Sequence, residues 1–227
     1  MAMSLLFTCN RVRTDVFLHT SYLCTKLKNP TTNDLKKLVR VFEYINYTST
    51  YGLIYSSGSP DLRVFAWIDA SYAVHDDAKG HSGTIISVGH DRTSNGCVVY
   101  VKSRKQKLVA RSSTEAELIA LHDGLPQVVW TRALLEELGF EQKPSLVFQD
   151  NKSTIFMAET GHGNHHRSKH IAVRFFYAKG LLDHGVIAVE HLSTLEMLAD
   201  TFTKPLPRVL FLKIRSHTLF NLDEYLR

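Results

Sequence analysis

The chain has 227 residues, 44% of them hydrophobic and 22% charged, an ordinary globular mixture that excludes wholesale disorder. Lys plus Arg exceed Asp plus Glu by 27 to 22, and 12 histidines add charge below neutral pH; this suits a polyanionic partner, although many basic proteins bind none. Three cysteines, Cys9, Cys24 and Cys97, show no CxxC spacing, which argues against a disulfide framework or a cysteine-zinc site and for a reducing compartment.

Met1 to Phe7 is apolar but too brief for a membrane span and lacks the charged start of a signal peptide, so a soluble intracellular protein is expected. From Ser4 to Tyr47 apolar residues recur at helical spacing, and Asn29-Pro30-Thr31-Thr32-Asn33 breaks the run, which predicts two helices. The second, from about Asp34 to Asn46, sets Leu35, Leu38, Val39, Phe42 and Ile45 on one side and Lys36, Lys37, Arg40 and Glu43 largely on the other. Gly52 to Tyr55 reads as a short strand, and the turn-forming Ser56 to Asp61 as a domain boundary.

Beyond it, Leu62 to Asp69, His81 to His90 and Gly96 to Lys102 are strand-like runs separated by turn residues, the signature of an antiparallel meander. Ser113 to Leu138 is helical, with an interruption expected near Gly124 and Pro126 because proline cannot donate the helix bond. Ser145 to Gln149 reads as a strand and Lys152 to Glu159 as a helix. Gly161 to His170 is a histidine-rich basic loop, Ile171 to Asp183 a helix and Val186 to His191 a last strand. Thr194 to Thr203 is expected as a last helix, capped by Ser193 with Glu196 and stopped by Pro205 and Pro207. This order predicts a mixed α/β sheet with helices on its faces. Trp67 and Trp130 are expected in the core.

Four acids stand at addresses that invite chemistry. Asp69 follows the apolar strand Val64 to Ile68, and Asp150 follows Leu146 to Phe148, so both carboxylates can share a site beyond neighbouring strand ends; each alone also fits a turn-initiating aspartate. Asp200 lies inside the predicted last helix, where aspartate is a poor helix former. Ser112 and Glu115 are spaced as a capping box, but so are Thr114 and Glu117. Glu117 shares a helical stripe with the small residues Ala120 and Gly124, which favours it as the site acid. Hydrolysis of a phosphodiester by two divalent ions, about 3.5–4 Å apart, needs such carboxylates.

Four stretches together resemble, in order and spacing, the ribonuclease H region of copia-type retrotransposon Pol polyproteins. They are Val109-Ala110-Arg111-Ser112-Ser113-Thr114-Glu115-Ala116-Glu117, Asp150-Asn151, His165-His166-Arg167-Ser168-Lys169-His170-Ile171 and Ala199-Asp200-Thr201-Phe202-Thr203-Lys204-Pro205-Leu206. Upstream, Arg13-Thr14-Asp15, Asn29-Pro30-Thr31 and Tyr51-Gly52-Leu53-Ile54-Tyr55 are similar to the segment that closes the reverse transcriptase. The resemblance runs from about Ser4 to Leu206. It implies an α/β, RNase H-like fold with a five-stranded mixed sheet flanked by helices and a small N-terminal helical segment. Residues 1–60 would be a thumb- or connection-like segment, 61–207 the RNase H-like domain and 208–227 a tail.

By the same resemblance, Asp69, Glu117 (which directly precedes Leu-x-Ala), Asp150 and Asp200 are the catalytic acids and hold two Mg²⁺ or Mn²⁺ ions. The implied activity is cleavage of the RNA strand of RNA–DNA hybrids during reverse transcription, in a cytoplasmic virus-like particle or the nucleus. The partners are the hybrid and the rest of the polyprotein. Lys102, Arg104, Lys105, Lys107, Asn151, His166, Arg167 and Lys169 are the candidate nucleic-acid contacts, with the run from Lys102 to Lys107 open to reading as a solvated loop. The cluster of His162, His165, His166 and His170 has no thiolate nearby and reads as a basic loop before a zinc site.

The chain departs from the family at Asp69-Ala70-Ser71, where a second aspartate is usual, and it has no Tyr-x-Asp-Asp run, so polymerisation is not expected. His191 lies near the place of a product-release histidine but in no matching motif. Two other readings stay open: a catalytically silent nucleic-acid-binding or scaffolding fragment, and an integrase-like DNA endonuclease using three acids.

Overall fold

The computed structural model describes residues 1–55, 61–91, 97–161 and 169–225, with the backbone alone for 169–173. Three helices open the chain where two were predicted: α1 (Ala2–Arg11), α2 (Phe17–Thr25) and α3 (Thr32–Tyr47). The extra break is a 3-10 turn at Thr14–Val16, beside which buried Arg13 pairs with Asp15 at 2.9 Å and donates to the Thr48 carbonyl at 3.0 Å. Residue spacing does not reveal a turn held by an ion pair. α3 starts with a full capping box between Thr31 and Asp34, just after the predicted break.

Strand β1 (Tyr51–Gly52) pairs antiparallel with Phe220–Asn221 near the C-terminal end, so residues 208–225 are built into the structure. The meander follows as β2 (Arg63–Ser71), β3 (His81–Gly89) and β4 (Cys97–Lys105), antiparallel throughout. Then come α4 (Ser113–Glu137), β5 (Ser145–Gln149), α5 (Lys152–Thr160), α6 (Lys169–Asp183) and β6 (Ile187–His191). β5 runs parallel to β2 and β6 parallel to β5, giving the order β4-β3-β2-β5-β6. This five-stranded mixed sheet flanked by helices is the expected RNase H-like architecture. Helix α7 (Arg208–Arg215), strand β7 (Phe220–Asn221) and helix α8 (Leu222–Tyr225) complete it.

Strand alternation divides the core. Val64, Ala66 and Ile68 pack under Ala120, Leu121, Leu125 and Val128 of α4. Phe65 and Trp67 face the other way, against Leu5, Cys9, Val16 and Phe17 of the N-terminal helices and against Ala199 and Phe202. The sheet thus covers Leu5 and Phe17, which are 5% and 1% exposed, while Leu6 is half-buried and Phe7 exposed.

Three predicted details change. α4 runs unbroken through Gly124 and Pro126, because burial of its whole sheet-facing stripe outweighs the one backbone bond that proline forgoes. Thr194 to Thr203 is two 3-10 turns, Thr194–Glu196 and Leu198–Phe202, in place of one α-helix. Trp130 is 59% exposed on α4, lining a shallow apolar groove with Tyr55, Val99 and Leu134, because it lies off the stripe that meets the sheet. No helix among the described residues is long and apolar enough to cross a membrane.

Candidate active site

Asp69 lies two residues before the end of β2, opposite Gly83 of β3, so the strand continues beyond the acid expected to end it. The parallel ladder between β2 and β5 is recorded as far as Trp67 opposite Phe148. Continuing that register by two residues sets Asp69 level with Asp150, which follows β5, so neighbouring strands deliver both carboxylates to one edge of the core.

The cap of α4 decides between its two glutamates. Ser112 Oγ accepts from the Glu115 N–H at 3.2 Å, while Glu115 Oε2 accepts from the Arg111 N–H at 3.0 Å. Glu115 is therefore the capping acid, and Glu117 turns into the core, 5% exposed. A Cβ on Gly124 would lie 2.8 Å from Ile68 Cδ1, so the small-residue stripe does bring this helix down tightly on β2. Asp69, Glu117 and Asp150 each offer a carboxylate oxygen within 4.8 Å of the others.

Asp200, fully buried on the second 3-10 turn, joins from the opposite side. The Lys204 ammonium lies 2.9 Å from Asp200 Oδ1 and 3.9 Å from Asp69 Oδ2. This is an ion pair without an aligned hydrogen bond, since both Asp200 oxygens lack a hydrogen-bond partner. Thr203 Oγ1 donates to Asp69 Oδ2, and Thr194 Oγ1 donates to Asp150 Oδ2 at 3.0 Å. Hence the segment after β6 orients two of the acids besides supplying one.

Burial, with the Asp69 and Asp150 charges adding to it, pushes the Glu117 carboxyl well above the usual glutamate range. Burial and then Asp69 raise Asp200 to about 7, against the opposing pull of Lys204. Carboxylates held this close disfavour their own ionisation, and they match a hard divalent cation: every donor is oxygen, and Glu117 Oε2 and both Asp200 oxygens are buried without hydrogen-bond partners.

Four contributors escaped sequence reasoning. Gly83 admits the Asp200 turn, since a Cβ there would meet Ala199 O at 2.9 Å and Thr203 Cγ2 at 2.7 Å. A glycine inside a strand pattern was the available signal for so close an approach. Thr194, Thr203 and Lys204 are ordinary polar residues whose partners are fixed only by the tertiary fold. Behind the turn, Ser103 Oγ donates to the Phe202 carbonyl at 2.7 Å and contacts His81 Nε2 at 2.8 Å, while His81 Nδ1 meets His75 Nε2 at 3.0 Å.

Lys102, Arg104 and Lys105 belong to β4, which corrects the reading of this run as a loop: β4 keeps pairing with β3 as far as Lys105 opposite His81. Arg104 pairs with Asp123 at 2.8 Å and Lys105 with Asp77 at 2.8 Å, while Lys107 is exposed. Asn151 Oδ1 caps α5, accepting from the Ser153 and Thr154 N–H groups at 3.0 and 3.2 Å. His162, His165, His166 and Arg167, and the side chains of Lys169 and His170, lie outside the described residues. His191 is exposed at the end of β6, level with Gln149.

The chain is 33% identical over 201 residues to the retrovirus-related Pol polyprotein from transposon RE1 of Arabidopsis thaliana, a match covering 88% of this chain and 13% of the relative. It is 29% identical over 205 residues to the corresponding polyprotein from transposon TNT 1-94 of Nicotiana tabacum, covering 90% of this chain and 15% of that one. The chain therefore spans only a small part of these relatives. Among solved structures, LC11-RNase H1 in complex with RNA/DNA hybrid aligns with a TM-score of 0.46 at 12% identity, over 62% of this chain and 94% of that chain. No protein-family model matches the chain.

Proposed function

We propose that this chain, a homologue of one segment of the retrovirus-related Pol polyproteins of plant copia-type transposons, hydrolyses the RNA strand of RNA–DNA hybrids. Asp69, Glu117, Asp150 and Asp200 would hold two Mg²⁺ or Mn²⁺ ions. One observation carries the reading: three acids from β2, α4 and the end of β5 bring their oxygens within 4.8 Å at a largely buried site. An acidic surface patch would not be buried, and a structural ion-pair cluster would include a base for each acid.

Divalent ions bound there supply an activated water and neutralise charge on the departing 3′ oxygen. The chain's own residues set the frame for that chemistry. Asp69 is the shared member, adjacent both to the Glu117–Asp150 pair and to Asp200. Thr203 and Thr194 donate to one oxygen each of Asp69 and Asp150, which fixes those carboxylates and leaves their second oxygens free of these donors. Burial and neighbouring negative charge raise both Glu117 and Asp200, so a bound divalent cation would favour their ionised forms. The RNA strand would be distinguished by its 2′-hydroxyls and held through phosphate contacts from Lys102, Lys107, His166, Arg167 and Lys169. Arg104 and Lys105 would first exchange Asp123 and Asp77 for phosphate. In this reading residues 1–60 derive from the end of the polymerase and 61–207 form the nuclease domain.

The test uses labelled RNA–DNA hybrid, duplex DNA and single-stranded RNA, each with Mg²⁺, with Mn²⁺ and with chelator, for the chain and for Asp150→Asn. Only the hybrid should be cut, leaving 5′ phosphates and 3′ hydroxyls, with activity abolished by chelation and by the substitution. Cleavage that survives either treatment overturns the mechanism. Hybrid binding without cleavage in every condition would instead mark a silent binding module.

A further inference from the structure

The four acids are not equally provided for. Asp69, Glu117 and Asp150 form one group. Asp200 forms another with Asp69, and the Lys204 ammonium faces both carboxylates, 2.9 Å from Asp200 Oδ1 and 3.9 Å from Asp69 Oδ2. Among the described residues Lys204 is the only basic side chain within 4.0 Å of either acid. The two carboxylates are buried, 2% and 0% exposed, whereas the lysine side chain is 37% exposed and has solvent into which to withdraw.

The neighbouring backbone is anchored by hydrogen bonds, while this side chain is held by its ion pairs alone. Thr203 is tied to Asp69, the Phe202 carbonyl accepts from Ser103, and the Lys204 N–H donates to the Asp200 carbonyl at 3.1 Å. The ammonium therefore has room to move from a fixed base.

We propose that Lys204 is a tethered cation that occupies the Asp69–Asp200 pair until a divalent ion displaces it, so that the two halves of the site load unequally. The first ion enters the Asp69–Glu117–Asp150 group, and the second competes with Lys204. Such a device offsets, with one positive charge, the repulsion between two buried carboxylates in the ion-free protein, and makes full loading of the site depend on cation concentration. The proposal rests on the four acids being the divalent-cation site.

The experiment is calorimetric titration of the metal-free full chain with Mn²⁺ at fixed ionic strength, for the wild type, Lys204→Met and Lys204→Arg. Wild type should show one tight and one weak site. In Lys204→Met the weak site should tighten by on the order of tenfold or more once the competing charge is gone, while Lys204→Arg keeps it weak. If the wild type binds Mn²⁺ and Lys204→Met binds it with the same stoichiometry and affinities, the lysine proposal fails and the four-acid reading stands. If neither protein binds Mn²⁺, the four-acid reading fails and the proposal with it. Should Lys204→Met not fold, wild-type crystals grown with Mn²⁺ give the answer. Nζ withdrawn from Asp200 is expected, and Nζ still bonded to Asp200 beside two bound ions overturns the proposal.

Discussion

Glutamine at position 117 keeps the shape of the Glu117 side chain and removes its charge, which separates what the carboxylate does for the proposed cleavage from what it costs the fold. Glu117 is 5% exposed, and its oxygen lies within 4.8 Å of those of Asp69 and Asp150. At an effective dielectric of about 20, two unit charges at that separation repel by roughly 3.5 kcal/mol. The protein limits the cost by letting Glu117 take up a proton, which is why burial first and the two aspartates next raise its pKa. A carboxyl whose folded pKa is raised contributes stability fully below its unfolded value near pH 4.5 and loses it as pH climbs toward the folded value, at about 1.4 kcal/mol per unit. Glutamine escapes that loss and can donate to either aspartate without borrowing a proton.

Glu117→Gln is therefore expected to be more stable than wild type in chelator at pH 7.5 by about 2–3 kcal/mol, or roughly 4–12 °C in Tm for a chain of this size. The advantage should shrink below pH 5 and narrow or reverse in Mg²⁺, while hybrid cleavage is lost. Thermal melts followed by circular dichroism at both pH values, with chelator and with Mg²⁺, decide the matter. A glutamine variant that melts at or below wild type in chelator at pH 7.5 refutes the claim that the cluster is under net electrostatic strain.

Gly83→Ala would press a Cβ to 2.9 Å from Ala199 O, a backbone atom that can yield only if the Asp200 turn moves. Cleavage should fall by about a hundredfold with stability reduced by about 1–3 kcal/mol and hybrid binding kept; full activity would show that the turn has slack. Burial, with His75 adding to it, lowers His81 to about 3, so its contribution to stability is complete above about pH 6.5 and is lost at about 1.4 kcal/mol per unit as pH falls toward 3. Urea unfolding between pH 6.5 and 5 should show a flatter slope for His81→Gln than for wild type, and equal slopes would exclude His81 as the titrating group. Asp15→Asn leaves Arg13 buried and only partly paired, since the Asp15 partner at 2.9 Å is neutralised; a loss of about 3–5 kcal/mol is expected in the same assay. Neutralising Arg104 and Lys105 together should reduce the salt slope of hybrid binding by about 2, and an unchanged slope would show that they stay with Asp123 and Asp77.

What could be read from the residues, and what could not, follows from the range of the forces involved. The strands of the meander, and Glu117 as the glutamate that gathers with Asp69 and Asp150, were legible because strand alternation and a small-residue helical stripe are local signals. The count of five strands came from the family resemblance, whereas the strand order and the 3-10 turns leading to Asp200 were legible in neither. The sequence of those turns, Thr194 to Thr203, carries the local start and stop signals of an α-helix. In the structure Ser103 takes the Phe202 carbonyl, Thr203 reaches back to Asp69, and Ala199 and Phe202 are committed to the core, so the chain tightens to meet partners about a hundred residues away. The same reasoning explains Pro126 in the unbroken α4, where a buried face overrides a local breaker.

Lys204 shows the converse. Its sequence spacing of four from Asp200 suggests an ordinary helical ion pair, worth a few tenths of a kcal/mol on an exposed helix. Placed instead on a tight turn, and facing two buried carboxylates of which one arrives from the central strand, the same spacing acquires a different chemical meaning. Local pattern can therefore name the acids of such a site, but the charge that balances them is fixed by how the last turn packs against the first strand of the sheet.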